Sequence, residues 1–276
     1  MLIELICDRG EEKILKLLNR KYPEIPYTKL NMLLRKKDIR VNGKRIFENI
    51  ILRKDDAVQL FISQIEEKKD LVKLFYIDDN ILIVDKTQDI ETVGNNSVTS
   101  ILENEYKFVK PCHRLDRNSG GLLVFALNQK AYDEMYKAFN IRSVKKQYIA
   151  LCVGTFKEKS ARLNAFLFKD KKKSMVYISD KSGKGYVPIT TEYEVVDEFN
   201  GLSMVRINLI TGRTHQIRAH MAHIGHFVLG DGKYGKETVN KSYGAKKQQL
   251  FAYKLNFNFD KNSPLHYLNE MNFKNE

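Results

Sequence analysis

An α+β protein in two parts is the fold this sequence predicts: a small, basic N-terminal domain, then a larger domain on a mixed, largely antiparallel sheet. Three observations predict it. From Leu74 onward, strand-length apolar runs recur with hairpin-length gaps. Segments of helical period fit between some of them. A charged stretch, residues 63–73, separates that region from a shorter one with its own apolar faces and suits a solvated linker. The expected boundaries are therefore 1–62, a linker at 63–73, and 74–276. At 43% hydrophobic and 29% charged, 276 residues suffice for one or two buried cores.

In the first part, Glu11 to Leu18 has helical spacing, with Ile14, Leu17 and Leu18 on one face. A second helix is expected after Pro26, over Tyr27 to Lys37, presenting Leu30, Leu33 and Leu34. The residues from Ile39 alternate and turn at Asn42-Gly43, a hairpin signal because both central positions of a tight turn take positive φ. Ala57 to Ile62 is the last strand. Arg35, Lys36, Lys37, Arg40, Lys44 and Arg45 cluster at the second helix and the turn. Such a cluster can contact adjacent backbone phosphates, and an ordinary solvated face has the same composition.

In the second part, Leu74–Ile77 and Ile81–Val84 flank a turn at Asp78-Asp79-Asn80. Further strands are expected at Gly121–Leu127, Gln147–Val153, Thr190–Val196 and Leu202–Leu209, with helices at Gln129–Asn140 and Thr214–Ile224. In the last helix Thr214 suits the N-cap, Gly225 the stop, and Ile217, Met221 and Ile224 the buried stripe. No glycine-rich loop leads from a strand into a helix, so there is no nucleotide-binding signature.

With 47 Lys and Arg against 34 Asp and Glu, the formal charge is +13. That excess favours a polyanionic partner, nucleic acid or an anionic membrane surface. The notable apolar run, Gly120 to Leu127, is far shorter than the ~20 residues a membrane span needs. The N-terminus carries Glu4, Asp8, Glu11 and Glu12 and has no basic n-region, so it does not read as a signal peptide. Cys7, Cys112 and Cys152 are odd in number and scattered, as expected of reduced thiols in a cytoplasmic protein. A monomer is the default expectation, with no membrane partner.

Three segments concentrate reactive side chains. Cys112-His113-Arg114-Leu115-Asp116 is a polar loop running into a buried strand, a layout that holds a carboxylate rigidly yet reachably. An Asp–Arg pair that merely ties down a loop is the blander reading. The second segment, Thr211 to His226, contains Arg213, Arg218 and four histidines: His215, His220, His223 and His226. A metal site is disfavoured, because only His220 and His223 clearly share a helical face and no Cys or acidic residue lies inside the cluster. The third segment begins an apolar strand at Lys145-Lys146-Gln147-Tyr148, where Tyr148 alone reads as a core-edge tyrosine.

Together these segments resemble the RluA-type pseudouridine synthases. The family's H-R-L-D motif stands at His113–Asp116, its G-R-T-H-Q-I-R motif at Gly212–Arg218, and its strand tyrosine at Tyr148, over roughly Leu74 to Phe259. The N-terminal part is similar to the S4-like (alpha-L) RNA-binding domain. Three positions depart from the family pattern: Ser119-Gly120 replaces Thr-Ser, Phe227 replaces Pro, and Lys86-Thr87-Gln88-Asp89 replaces K-P-x-G. The resemblance implies isomerisation of uridine to pseudouridine in RNA, with no cofactor and no metal. Asp116 is then the essential carboxylate, Arg218 its guanidinium partner, and Tyr148 the residue stacking on the base. Arg114 fills the space the base vacates. His113 supports the loop, and Arg213, His215, Lys36, Lys37, Arg40 and Lys44 are expected to contact RNA. The run Gly230–Gly235 with Gln249–Leu255 looks closest to members acting on 23S ribosomal RNA, with transfer RNA the alternative substrate. From other classes, the competing readings are a catalytically silent RNA-binding or ribosome-assembly protein and a metal-dependent hydrolase using the histidines.

Overall fold

The computed structural model describes residues 2–22, 25, 27–35, 37–61 and 71–275. The chain divides into two compact units, Met1–Lys69 and Asp70–Glu276. No helix among the described residues is long and apolar enough to cross a membrane.

The first unit contains β1 (Leu2–Ile6), β2 (Glu12–Lys13), α1 (Ile14–Lys21), α2 (Tyr27–Arg35), β3 (Ile39–Val41), β4 (Lys44–Ile46), β5 (Ile51–Leu52) and β6 (Ala57–Phe61). Strands β1, β6, β3 and β4 form one antiparallel sheet in that order, and β2 pairs with β5. Ile14, Leu17 and Leu18 of α1 pack with Leu30, Leu33 and Leu34 of α2 over Ile39, Val58 and Leu60 of the sheet. The expected hairpin forms, with Asn42 at φ 49 and Gly43 at φ 77. Helix α1 starts at Ile14, not Glu11, because Glu11 is left-handed at φ 59 and Glu12–Lys13 pair with β5. Helix α2 stops at Arg35, short of Lys37, which is left-handed at φ 60.

The second unit contains β7 (Val72–Ile77), β8 (Ile81–Lys86), α3 (Val98–Leu102), β9 (Lys110–Pro111), β10 (Gly120–Ala126), α4 (Gln129–Asn140), β11 (Lys145–Val153) and β12 (Ser160–Asp170). It continues through β13 (Met175–Ser179), β14 (Val187–Phe199), β15 (Leu202–Leu209), α5 (Gln216–His223), α6 (Glu237–Ser242), β16 (Leu250–Asn256), a 3₁₀ turn (His266–Glu270) and β17 (Phe273–Lys274). Val72 and Lys73 thus belong to β7 and not to the expected linker, whose residues 63–70 lie outside those described. Eleven strands form one sheet, ordered β13-β12-β14-β15-β11-β16-β10-β8-β7, with β17 on β16 and β9 on β10. Every pairing in it is antiparallel except β10 with β16. Strands β9, β12, β13, β16 and β17 and helices α3 and α6 were not expected from the sequence.

The sheet is covered on both faces around β10, whose seven residues are all buried. On one face Leu123 and Phe125 pack with Tyr148, Ile207, Ile217 and Met221. On the other, Leu122 and Val124 pack with Ala131, Met135 and Ala138 of α4 and with Leu265 and Leu268. Two-sided burial is why β10 reads as an unbroken apolar run. Helix α4 begins where expected, its Asn128 cap accepting from Ala131 N–H at 2.8 Å. Helix α5 departs from expectation. Its N-cap is His215 at φ 53, not Thr214, and the helix is buried well beyond the Ile217–Met221 stripe, at Gln216, Arg218, Ala219 and His220 as well. That wider burial brings polar groups to the site.

The β10–β16 junction constrains one residue tightly. Gly121 has φ +105 and a Cβ there would stand 2.2 Å from the Ala252 carbonyl oxygen. Any side chain forces the two backbones apart next to the Asp116 loop. Gly121→Ala is expected to lose about 3 kcal/mol or more in urea unfolding. Gly232→Ala, where nothing lies within 4 Å, is expected to unfold like the wild type.

Candidate active site

Asp116 sits in the loop between β9 and β10, and both sides of it are pinned. On its N-terminal side Leu115 is buried, and its backbone bonds twice to the Thr92 hydroxyl: the hydroxyl donates to Leu115 C=O at 3.0 Å and accepts from Leu115 N–H at 3.1 Å. On its C-terminal side Ser119 N–H closes a turn onto Asp116 C=O at 3.0 Å. The Lys86 ammonium donates to the carbonyls of Thr87, Ile90 and Arg117 at 2.8, 2.9 and 3.2 Å. Burial pushes this lysine down to about 8, against the attraction of Asp116 and Asp89. The departing segment Lys86–Asp89 turns at Asp89, left-handed at φ 70, and Lys86 clamps it to the Asp116 loop.

Arg218 meets Asp116 from the first turn of α5, with Nη1 3.6 Å from Oδ2. Its two-pronged bond goes elsewhere. Nε and Nη2 donate to the two carboxylate oxygens of Asp231 at 2.7 and 2.9 Å. The expected Asp116–Arg218 pairing is thus one-sided, and the fork belongs to Asp231. The Asp231 side chain is fully buried and also accepts from Lys233 N–H at 2.8 Å and Tyr234 N–H at 3.1 Å. Burial alone would raise its pKa, but the guanidinium and the backbone donors outweigh that and hold it below the usual carboxylate range.

His215 lies 3.9 Å from Asp116 through Nε2. Its Nδ1 shares a 2.8 Å hydrogen bond with the Tyr234 hydroxyl, which itself accepts from Val176 N–H at 3.0 Å. Tyr234 thus fixes the imidazole ring against β13 and points Nε2 toward the Asp116 carboxylate. Burial lowers the His215 pKa; Asp116 opposes the shift and Arg218 adds to it.

A cavity of about 120 Å³ opens on this cluster, with Asp116, Tyr148, Arg218, His215, Arg114 and Arg213 in its wall. Tyr148 is buried with its hydroxyl pKa raised by that burial and by Asp116. Arg114 and Arg213 are exposed at the rim. Gln216 shapes the rim loop: its amide donates to Thr190 C=O and Thr191 Oγ1 and accepts from Thr211 Oγ1 and Arg213 N–H, at 2.9–3.1 Å.

The other expected site residues lie outside this cavity. His113 faces β10 and the Phe139 ring; its Nε2 accepts from Val124 N–H at 3.2 Å, and burial, then Lys146, hold it neutral. It braces the loop, and it borders the neighbouring groove instead of the cavity. Lys37, Arg40 and Lys44 belong to the first unit, where Lys37 lies over Phe47 and Arg40 over Phe61, while Lys44 is exposed. Lys36 lies outside the described residues. The remaining histidines disperse: His220 to Thr191 at 3.0 Å, His223 to Asp180 at 2.9 Å, His226 to Val153 C=O at 3.0 Å. Sequence reasoning missed Thr92, Lys86, Asp231 and Tyr234. Asp231 stood inside the quoted Gly230–Gly235 run, yet nothing local marks it as the partner of a residue thirteen positions back.

Residues 80–223 match the family model described as RNA pseudouridylate synthase. Among relatives, ribosomal large subunit pseudouridine synthase C of Vibrio parahaemolyticus is 28% identical over 279 residues, spanning 93% of this chain and 87% of the relative. The protein of the same name from Haemophilus influenzae is 27% identical over 278 residues, spanning 92% and 86%. Among solved structures, human RNA pseudouridylate synthase domain containing 1 superposes with a TM-score of 0.61 at 26% identity, covering 68% of this chain and 79% of that one. A second human structure, RNA pseudouridylate synthase domain containing 4, reaches 0.60 at 19% identity, covering 74% and 88%, and shows likeness of fold.

The buried pair generates a stability prediction. Asp231→Asn removes the buried charge held by the fork, leaves Arg218 only its one-sided contact with Asp116, and is expected to destabilise by about 3 kcal/mol in urea unfolding. Folding lowers the Asp231 pKa, so the unfolded chain binds more protons in acid. The pair's stability is whole above the unfolded value of about 3.9 and is lost as pH falls below it. The acid limb of the wild-type stability curve is expected to be shallower in Asp231→Asn.

Proposed function

The chain belongs to the RNA pseudouridylate synthase family, and from that premise we propose that it isomerises specific uridines in large-subunit ribosomal RNA, with Asp116 as the essential carboxylate. The observation that carries the catalytic assignment is the cavity wall: a rigidly held carboxylate, a buried tyrosine and a buried guanidinium meet beside a space suited to one base. The substrate assignment rests on the large-subunit relatives, which align along nearly the whole chain.

The reaction breaks the bond between N1 of uracil and C1′ of ribose and makes one between C5 and C1′. The hydrogen leaving C5 is balanced by one gained at N1. Nothing is oxidised or reduced, so no redox partner is called for. Asp116 attacks the sugar or the base, or removes a ribose proton; each route uses one ionised carboxylate beside the glycosidic bond. Arg218 Nη1 faces that carboxylate at 3.6 Å, and its fork on Asp231 keeps the guanidinium from swinging away. The His215 ring stands on the other flank, its Nε2 3.9 Å from the same oxygen.

A uridine in structured RNA must leave its stack to reach Asp116, at a cost of ~a few kcal/mol. Tyr148 offers the base an apolar ring. Arg114, exposed two residues before Asp116, supplies a flat guanidinium for the space left behind. The first unit, with its β3–β4 hairpin and basic residues, adds phosphate contacts in the manner of an S4-like domain.

Asp116→Asn is expected to fold and to bind RNA yet lose on the order of 10⁴-fold in turnover. Carbodiimide primer extension on ribosomal RNA from a deletion strain carrying the variant reads this directly. Unchanged modification would remove Asp116 from the chemistry. Arg218→Lys is expected to lose about 10²-fold, because a point charge cannot hold Asp231 and face Asp116 together.

A further inference from the structure

A groove of about 720 Å³ adjoins the cavity at Asp116 and shares Arg114, Lys146, Leu209, Gly212 and Arg213 with it. Its walls are the end of α4 with the start of β11 on one side and the segment 208–213 on the other. Arg142 and Lys145 extend its positive charge away from Asp116. One acidic residue lines it, Glu192, and that carboxylate is bonded by Arg162 at 2.8 Å. None of the five cations has a carboxylate partner among the described residues.

Lys146 is the informative member. It stands two residues before Tyr148 on the same strand, so the two side chains share a face of the sheet. Its ammonium lies 5.2 Å from the Phe139 ring centre and borders both the cavity and the groove. Burial pushes it down to about 8. A half-buried ammonium without an anion is costly, and an anion arriving at the junction relieves that cost. A second opening at Asp116 mixes both signs, Glu91 and Asp116 with Arg114, Arg117, Arg218 and Lys233, and its Arg218 is already held by Asp231.

We propose that this groove holds the single-stranded nucleotides on one flank of the target uridine, with Lys146 binding the phosphate next to the extruded nucleotide and Arg142 and Lys145 binding phosphates further along. The proposal rests on the pseudouridine synthase reading and specifies how that site grips its RNA. Asn208 and Asn256 in the groove wall offer amides to sugars and base edges. Phosphate contacts of this kind hold the strand in register without reading its sequence.

The test uses the full chain, tritium release from large-subunit ribosomal RNA transcripts labelled at uridine C5, and salt-dependent binding of a short fluorescein-labelled oligouridylate. In Arg142→Ser/Lys145→Ser, both exposed positions, KM is expected to rise about 10-fold while kcat stays within about twofold. The slope of log Kd against log salt is expected to fall by about 1.4, since each single-strand phosphate contributes about 0.7. Lys146→Met is expected to raise KM and lower the slope by about 0.7. Lys261→Ser, on an exposed turn outside the groove, is expected to change neither. If Lys146→Met melts early, the exposed double variant decides alone. Unchanged KM and slope in the double variant would overturn the groove. Wild-type chain that binds oligouridylate with the expected slope but releases no tritium would keep the groove and reject the enzymatic reading.

Discussion

The buried Arg218–Asp231 fork is the constraint on which the site depends. A guanidinium free to choose would take the more accessible carboxylate in both prongs and leave Asp116 as half of a static salt bridge. Here Asp231, fully enclosed and satisfied by two backbone N–H groups, occupies Nε and Nη2. Nη1 alone remains for Asp116, at 3.6 Å. The arrangement separates two tasks that one carboxylate could not perform together: anchoring the arginine and staying open to the cavity. It also explains why α5 is buried on nearly all sides, since the helix must carry Arg218 inward against a segment that wraps back to supply Asp231.

The same division recurs around Asp116. Its neighbours Leu115 and Arg117 are tied through their backbones to Thr92 and Lys86, and Ser119 closes the turn. The carboxylate itself is left without such ties, and faces the cavity with a histidine and an arginine nearby. Lys86 shows how a buried charge is accommodated without a partner ion: three carbonyl oxygens accept from it, and the long-range pull of Asp116 and Asp89 does the rest.

Most regular elements were legible because their cause is local. The Asn42-Gly43 hairpin, the Asn128-capped α4 and the unbroken apolar β10 each follow from residues within a few positions. The motif residues Asp116, Tyr148 and Arg218 were legible through resemblance, and they do line one cavity. What escaped notice depends on distant contacts. His215 at the α5 cap takes a left-handed conformation that a serine-like cap rule does not anticipate. Asp231 and Thr92 look ordinary in sequence; their importance comes from what the fold lays beside them. His113 illustrates the reverse, a motif residue whose ring turns away from the cavity to accept from Val124.

The parallel junction of β10 with β16 has a consequence for synthesis of the chain. Gly120 and Gly121 pair with Phe251 and Ala252, residues translated far later, so the strand leading out of the Asp116 loop has an open edge until that distant segment has left the ribosome. Asp231 emerges similarly late. A product cut short before that segment therefore presents the His113–Asp116 motif without the scaffold that shapes its loop.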